Sequence, residues 1–247
     1  GGMPYKLQLR HLKNASVVVA TPGRLLDLWG RGEIDLEDFE IVIIDEADLM
    51  LDMGFIDDVQ MILSHTTGRR ITGFFSATIP KEIEELVAKF VEKPEKVYVC
   101  DGLANVEHKF IYVEDDWRSK VKEIKKEIES GVIVFVRTRK RVSKLVSLLD
   151  NAVELRGDLP QSVRNRNIDA FRRGDYDVLV TTDVASRGLD IPLVHKVINF
   201  DAPQDIKTYI HRIGRTGRMG KRGVAVTFLT RKDLWLEKEV RSLQLPH

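Results

Sequence analysis

The chain is 247 residues long, enough for one large or two modest domains with real cores, and it is 43% apolar and 31% charged, the balance of a globular protein. No apolar run approaches the length of a membrane helix, no signal-peptide pattern is seen, and Cys100 is alone, which excludes an intrachain disulfide and points to a reducing, cytoplasmic setting. A net charge of +1 hides a division: residues 1–104 hold 11 Lys/Arg against 18 Asp/Glu, and residues 105–247 hold 28 against 20, so the second stretch is the one suited to a phosphate backbone.

In chain order, β-rich runs alternate with helical patterns. Val17–Ala20 predicts a strand, Pro22–Trp29 a helix opening at a proline, Ile41–Asp45 a strand and Phe55–Leu63 a helix. Ile71–Ser76 predicts a third strand, Ile79–Val91 a helix with Ile83, Leu86, Val87 and Phe90 on one face, and Val97–Cys100 a further strand. Residues 101–105 carry turn formers without periodicity and predict a linker. Beyond it the strands are Phe110–Val113, Val132–Val136, Ala152–Leu155, Val178–Thr181, Lys196–Asn199 and Val224–Phe228. Helices are expected over 120–129 (stopped at Gly131), 141–149, 160–173, 205–213 and 232–243. Such alternation argues for α/β architecture with parallel sheets.

Asp45-Glu46-Ala47-Asp48 follows the apolar run Ile41–Ile44, so a short buried strand delivers carboxylates to its carboxyl end, where open α/β sheets bind ligands. Three further motifs follow in order: Ser76-Ala77-Thr78, the run Thr181–Pro192, and His211-Arg212-Ile213-Gly214-Arg215-Thr216-Gly217-Arg218; Thr21-Pro22-Gly23-Arg24 stands ahead of the acidic tetrad. The set resembles the DEAD-box family of ATP-dependent RNA helicases, over essentially the whole chain to about residue 230.

The resemblance implies two RecA-like parallel-sheet domains, residues 1–100 (the later part of the first), a linker at 101–105 and a complete second domain at 106–247. ATP and Mg²⁺ are the implied cofactors and RNA the implied partner. Asp45 would hold Mg²⁺ through water, and Glu46 would position or deprotonate the attacking water. Arg215 and Arg218 resemble arginine fingers, and Asp190 resembles the family aspartate on the nucleotide ribose. Asp48, Ser76, Thr78, His211 and Arg212 would couple the domains, Ser76 and Thr78 through hydrogen bonds to the acidic cluster and His211 and Arg212 by contacting it; Asp48 reads equally as a helix N-cap, and an alternative makes Ser76 and Thr78 caps of the helix near Pro80. Gly2, Thr21, Pro22, Gly23, Arg24, Arg137, Thr138, Gln161, Arg164, Thr181, Arg187 and Gly188 would form the RNA track, gripping backbone with weak sequence preference. Asp183 reads alternatively as a helix cap, and Phe74, Phe75, Phe135, Phe200 and Trp235 as core. Arg156 stands before Gly157-Asp158 where the family usually has histidine.

Nowhere does Gly-x-x-x-x-Gly-Lys-Ser/Thr occur, the loop that cradles phosphates. The resemblance therefore predicts an N-terminally truncated chain, with a first sheet that offers a bare edge and invites self-association or a complementing N-terminal segment. Two readings follow: an RNA-dependent ATPase that separates short duplexes, inactive in this chain alone, or a non-catalytic RNA-binding protein. A DNA-translocating helicase fits the motif set less well.

Overall fold

The computed structural model describes residues 5–98, 105–186, 191–218 and 220–243. It divides into two compact units, Gly1–Val97 and Tyr98–His247; residues 101–104 of the expected linker lie outside the described residues.

The first unit runs α1 (Tyr5–Leu12), α2 (Pro22–Gly30), β1 (Ile41–Ile44), α3 (Ala47–Asp52), α4 (Ile56–His65), β2 (Ile71–Phe74) and α5 (Lys81–Phe90). β1 and β2 pair in parallel from Ile41↔Ile71 to Ile44↔Phe74. Beyond the ladder, the Phe75 amide donates to the Ile44 carbonyl at 2.8 Å and the Ala47 amide to the Phe75 carbonyl at 3.0 Å. Strand alternation sends Val42, Ile44 and Phe74 to one face, where they pack with Ala47, Val59, Leu63, Ile83 and Leu86 of α3, α4 and α5. The opposite face presents Ile41, Ile43, Ile71 and Phe75, all more than half exposed.

Two strand expectations fail here. Residues 17–20 run without regular structure, with Val17 and Val19 exposed, and residues 97–98 do likewise; residues 99–100 lie outside the described residues. A β-rich run becomes a strand only where a neighbour completes its hydrogen bonds, and among the described residues of this unit β1 and β2 pair only with each other. Helix α1 was not expected from periodicity, and no residue of it is buried.

The second unit holds β3 (Val106–Tyr112), α6 (Trp117–Glu127), β4 (Val132–Phe135), α7 (Arg139–Val146), β5 (Ala152–Leu155), α8 (Gln161–Arg173), β6 (Val178–Thr181), α9 (Asp183–Ser186), β7 (Lys196–Asn199), α10 (Ile206–Ile213), β8 (Gly223–Leu229), a 3₁₀ turn (Arg231–Asp233) and α11 (Leu234–Leu243). Its six strands are all parallel, in the order β3-β8-β7-β4-β6-β5. β4 shows how the core is divided. Val132, Val134 and Val136 face Ile124 of α6 and Val142 and Leu145 of α7, while Ile133 and Phe135 face Ile168 and Phe171 of α8. A strand covered on both faces is apolar at every position, as this one is. A third cluster seats Tyr209 and Ile213 of α10 with Leu236 and Val240 of α11 on Ala225 and Leu229 of β8.

Local chemistry sets the helix ends. Asp116 accepts from the amides of Arg118 and Ser119 to open α6, and Asp205 from that of Thr208 to open α10. Gly174, at φ 83°, closes α8. The outcome is a parallel-sheet α/β protein with two sheets. Among the described residues no helix is long and apolar enough to cross a membrane.

Candidate functional site

The acidic tetrad sits at the turn from β1 into α3. Asp45 and Glu46 are exposed, and Asp45 Oδ1 accepts from the Glu46 amide at 2.9 Å. Glu46 occupies the N-cap position in the left-handed region, at φ 51° and ψ 46°, and its side chain makes no capping bond. A non-glycine residue held there costs energy, and the conformation leaves the carboxyl group outside the helix.

Asp48 lies one turn further in and is completely buried. Its Oδ2 accepts from the Thr78 amide at 3.0 Å and from the Thr78 hydroxyl at 2.8 Å. Ser76 Oγ accepts from the Asp48 amide at 3.1 Å and donates to the Thr78 carbonyl at 2.6 Å. Asp48 is therefore not the N-cap of α3, a position that Glu46 holds, and its carboxylate accepts from Thr78 of the same unit. Ser76 and Thr78 do not cap α5 either, whose N-cap is Pro80 without a side-chain bond. The two motifs lock to each other because a buried carboxylate needs donors on the spot.

Magnesium takes most of its ligands from water and phosphate oxygens and needs one or two carboxylates from a protein. Asp45, exposed and with only Oδ1 on a backbone amide, fits that demand. Among the described residues no group of three His, Cys, Asp or Glu is disposed to hold a metal without such help.

In the second unit the candidate RNA residues gather at the carboxyl ends of β4, β5 and β6. Arg137 and Thr138 are exposed just after β4; Thr138 is the N-cap of α7, its hydroxyl accepting from the Arg141 amide. Gln161 and Arg164 stand on the first turn of α8, bonded to each other at 3.0 Å. Thr181 is completely buried and its hydroxyl donates to the Leu155 carbonyl at 3.1 Å, so it ties β6 to β5 beneath those residues. In the first unit, Thr21 caps the start of α2 by position, Pro22 is buried, Gly23 is exposed, and Arg24 reaches Asp27 at 3.2 Å. Gly2, Arg187, Gly188 and Asp190 lie outside the described residues.

The run 211–218 begins on the last turn of α10. Arg212 is 3% exposed; Nε and Nη2 donate to the two carboxylate oxygens of Asp183 at 2.6 and 2.9 Å, and Nη1 to Asn199 Oδ1 at 3.0 Å and to the Asp201 carbonyl at 2.7 Å. All of these guanidinium bonds lie inside the second unit. Asp183 likewise is no cap but the acceptor of that fork. His211 and Arg215 are half-buried and Arg218 is exposed. Gly217 sits at φ 70°, where a Cβ would come within 2.5 Å of Val106 Cγ2, so glycine is required there twice over. Gly214, at φ −61°, lies outside the left-handed region.

Residues 1–86 match the model described as DEAD/DEAH box helicase, and residues 118–220 match the Helicase conserved C-terminal domain. Among solved structures, a hypothetical ATP-dependent RNA helicase from Sulfolobus tokodaii is 70% identical over 97% of this chain and 72% of its own, with a TM-score of 0.60. The chain belongs to the DEAD-box RNA helicase family. The structure of Dbp5 from S. cerevisiae bound to RNA and ADP BeF3 is 33% identical over 93% of this chain and 63% of its own, with a TM-score of 0.79. The curated relatives include ATP-dependent RNA helicase dbp3 of Schizosaccharomyces pombe, 42% identical over 94% of this chain and 44% of its own length. The DEAD-box ATP-dependent RNA helicase CshA of Geobacillus kaustophilus is 42% identical over 95% of this chain and 52% of its own. The chain thus spans about half the length of the curated relatives it matches.

Sequence reasoning about this DEAD-box chain missed the Asp201 group and left the partners of Arg156 undetermined. Asp201, after β7, is buried and binds Lys120, Arg141 and the Arg137 amide. Arg156, which departs from the family's histidine, lies 3.5 Å from Glu154 and 3.4 Å from Asp158 and donates to the Ser143 hydroxyl at 2.6 Å. Only the apolar flanks of Asp201 in Phe200-Asp201-Ala202 signalled that a charge there would need buried partners.

Proposed function

We propose that the chain is part of an ATP-dependent RNA helicase, an RNA-dependent ATPase that separates short duplexes by local strand distortion. In this reading residues 1–100 are the later part of one RecA-like domain, 101–105 the linker and 106–247 the second domain. The observation that carries it is the acidic turn: Asp45 and Glu46 are exposed at a strand's carboxyl end while Asp48 is withdrawn into bonds with Thr78.

Asp45 would hold Mg²⁺, which would neutralise phosphate charge, and Glu46 would orient or deprotonate the attacking water. Arg215 and Arg218 bear on the phosphates, where an arginine finger is worth about 10³–10⁵ in rate. Asp190 holds the ribose. Bound Mg-ATP supplies the phosphoanhydride to be broken. Arg24, Arg137, Thr138, Gln161, Arg164, Arg187 and Gly188, with the backbone at Gly2 and residues 21–23, grip RNA sugar and phosphate, and Thr181 supports that track from beneath. No phosphate-cradling Gly-Lys-Ser/Thr loop occurs within residues 1–247, so these residues alone bind RNA but turn over ATP at background rate. The cytoplasm is the compartment this chemistry and the lone thiol suit.

The test measures single-stranded RNA binding and ATP hydrolysis by this chain, with and without a supplied segment bearing such a loop. RNA binding that weakens with salt, and turnover that appears on complementation and vanishes in Glu46→Gln, is the expected result. RNA binding indifferent to nucleotide, with no turnover under either condition, would establish the non-catalytic binding protein instead.

A further inference from the structure

Asp201 is 1% exposed, two residues beyond β7. A carboxylate so placed is costly unless several donors meet it, and this one has them from three elements. Oδ1 accepts from Lys120 Nζ of α6 at 3.1 Å and from Arg141 of α7; Oδ2 accepts from the Arg137 amide at 2.9 Å. The Asp201 backbone carbonyl, meanwhile, accepts from Arg212 Nη1 at 2.7 Å. Arg212 is the residue whose fork grips Asp183 at the start of α9. Aromatic rings enclose the cluster: Lys120 lies 5.7 Å from the Phe200 ring centre, and Arg141 and Lys144 lie 5.6 and 4.3 Å from that of Trp117.

A single residue therefore touches two places with different proposed roles. Its side chain holds the loop of Arg137 and Thr138, assigned to RNA. Its main chain holds the helix that runs out into Arg215 and Arg218, assigned to nucleotide. Asn199, the other partner of that Arg212 nitrogen, reaches Thr227 rather than the Arg137 loop.

We propose that Asp201 is a positioning residue that couples the Arg137–Thr138 loop to the arginine-bearing end of α10, so that RNA seated on the loop biases the placement of Arg215 and Arg218. The inference rests on the RNA reading above. By reciprocity, a nucleotide phosphate gathered by those arginines strengthens RNA binding at the loop by the same factor. Asp201 touches neither ligand; it transmits because a buried network of charge-assisted bonds moves as a unit.

The test is amide NMR of the ¹⁵N-labelled chain titrated with a short oligouridylate. In the wild type the amides of Arg137 and Thr138 shift, and those of Gly214 and Gly217 shift with the same saturation. In Asp201→Asn, which turns an NH₂ or a neutral oxygen toward Lys120 and Arg141, the loop amides still respond, while the Gly214 and Gly217 shifts shrink by about threefold or more. Should that variant not fold, Asp201→Glu keeps the charge but displaces it by one methylene, and the same selective loss is expected. Gly214 and Gly217 shifts that persist in the folded variants, or that never appear although the loop responds, would overturn the relay. A wild type in which the loop itself is silent would overturn the RNA reading, and the relay with it.

Discussion

Arg212 and Asp183 meet through two parallel hydrogen bonds, 2.6 and 2.9 Å long, joining the last turn of α10 to the first residue of α9. The arginine is 3% exposed and the aspartate 27%, so the cation is the desolvated partner and the anion keeps some water. Removing one member of a buried pair costs about 3–5 kcal/mol; the partial exposure of Asp183 places Asp183→Ala near 3 kcal/mol and Arg212→Ala at the upper end. Arg212→Lys should rescue little, because an ammonium cannot reproduce the planar fork or reach Asn199 and the Asp201 carbonyl together. Urea unfolding of the second unit, followed by tryptophan fluorescence, reads all three. Equal stability of Arg212→Lys and wild type would show that charge alone matters.

The neighbouring Asp201 predicts an acid limb. Burial raises its pKa, but the hydrogen bond from Arg141, the Arg137 amide and the charge of Lys120 outweigh it and hold the group below the usual carboxylate range. With the folded pKa depressed, the contribution to stability is present above the unfolded value of about 3.9 and is lost as pH falls through the folded one. The second unit should therefore lose stability on acidification below about pH 4 more steeply in the wild type than in Asp201→Asn. Parallel acid profiles in chemical denaturation would remove Asp201 as the cause.

Much of this was legible in the sequence, and the limits have physical reasons. β4 could be read from Val132–Val136 because a strand covered on both faces must be apolar throughout, and the helices expected over 160–173 and 205–213 form within one residue of those bounds. Val17–Ala20 is as β-rich as β1 yet forms no strand, since pairing depends on a neighbour that local sequence does not describe. At the site, motif spacing located Asp45, Glu46 and Arg218 on exposed turns. It did not show that Arg212 and Thr181 are buried, because a polar residue in a motif reads as ligand-facing. Whether it instead serves a carboxylate 29 positions away or a carbonyl 26 positions away leaves no periodic trace.

Glu46 supplies a prediction in which stability and activity part. Its left-handed conformation at φ 51° costs an L-residue about 1–2 kcal/mol that glycine escapes, offset in part by glycine's greater freedom in the unfolded chain. Glu46→Gly should leave the first unit unchanged or stabilise it by up to about 1 kcal/mol, while abolishing turnover in the complemented enzyme. Thermal unfolding and ATP hydrolysis on the same preparation check both. A variant that keeps its activity would take Glu46 out of the catalytic role.

The open side of the first sheet makes the last prediction. Ile41, Ile43 and Ile71 are 57, 52 and 55% exposed and Phe75 is 59%; the register sets Ile41 beside Ile71 and Ile43 beside Gly73, so they share one face. Parallel sheets are ordinarily covered on both faces, and a contiguous apolar face in water recruits a partner. A second copy of this chain is always at hand in a purified sample. Residues 1–247 should self-associate in a concentration-dependent way by sedimentation velocity, and Ile43→Lys should return them to monomer by burying a charge at any such contact. Because Ile43 points away from the cluster around Val59 and Leu63, the substitution should leave the fold intact by circular dichroism. A wild-type chain that stays monomeric across the accessible concentrations would mean that this face tolerates water, and an oligomer indifferent to Ile43→Lys would place the contact elsewhere.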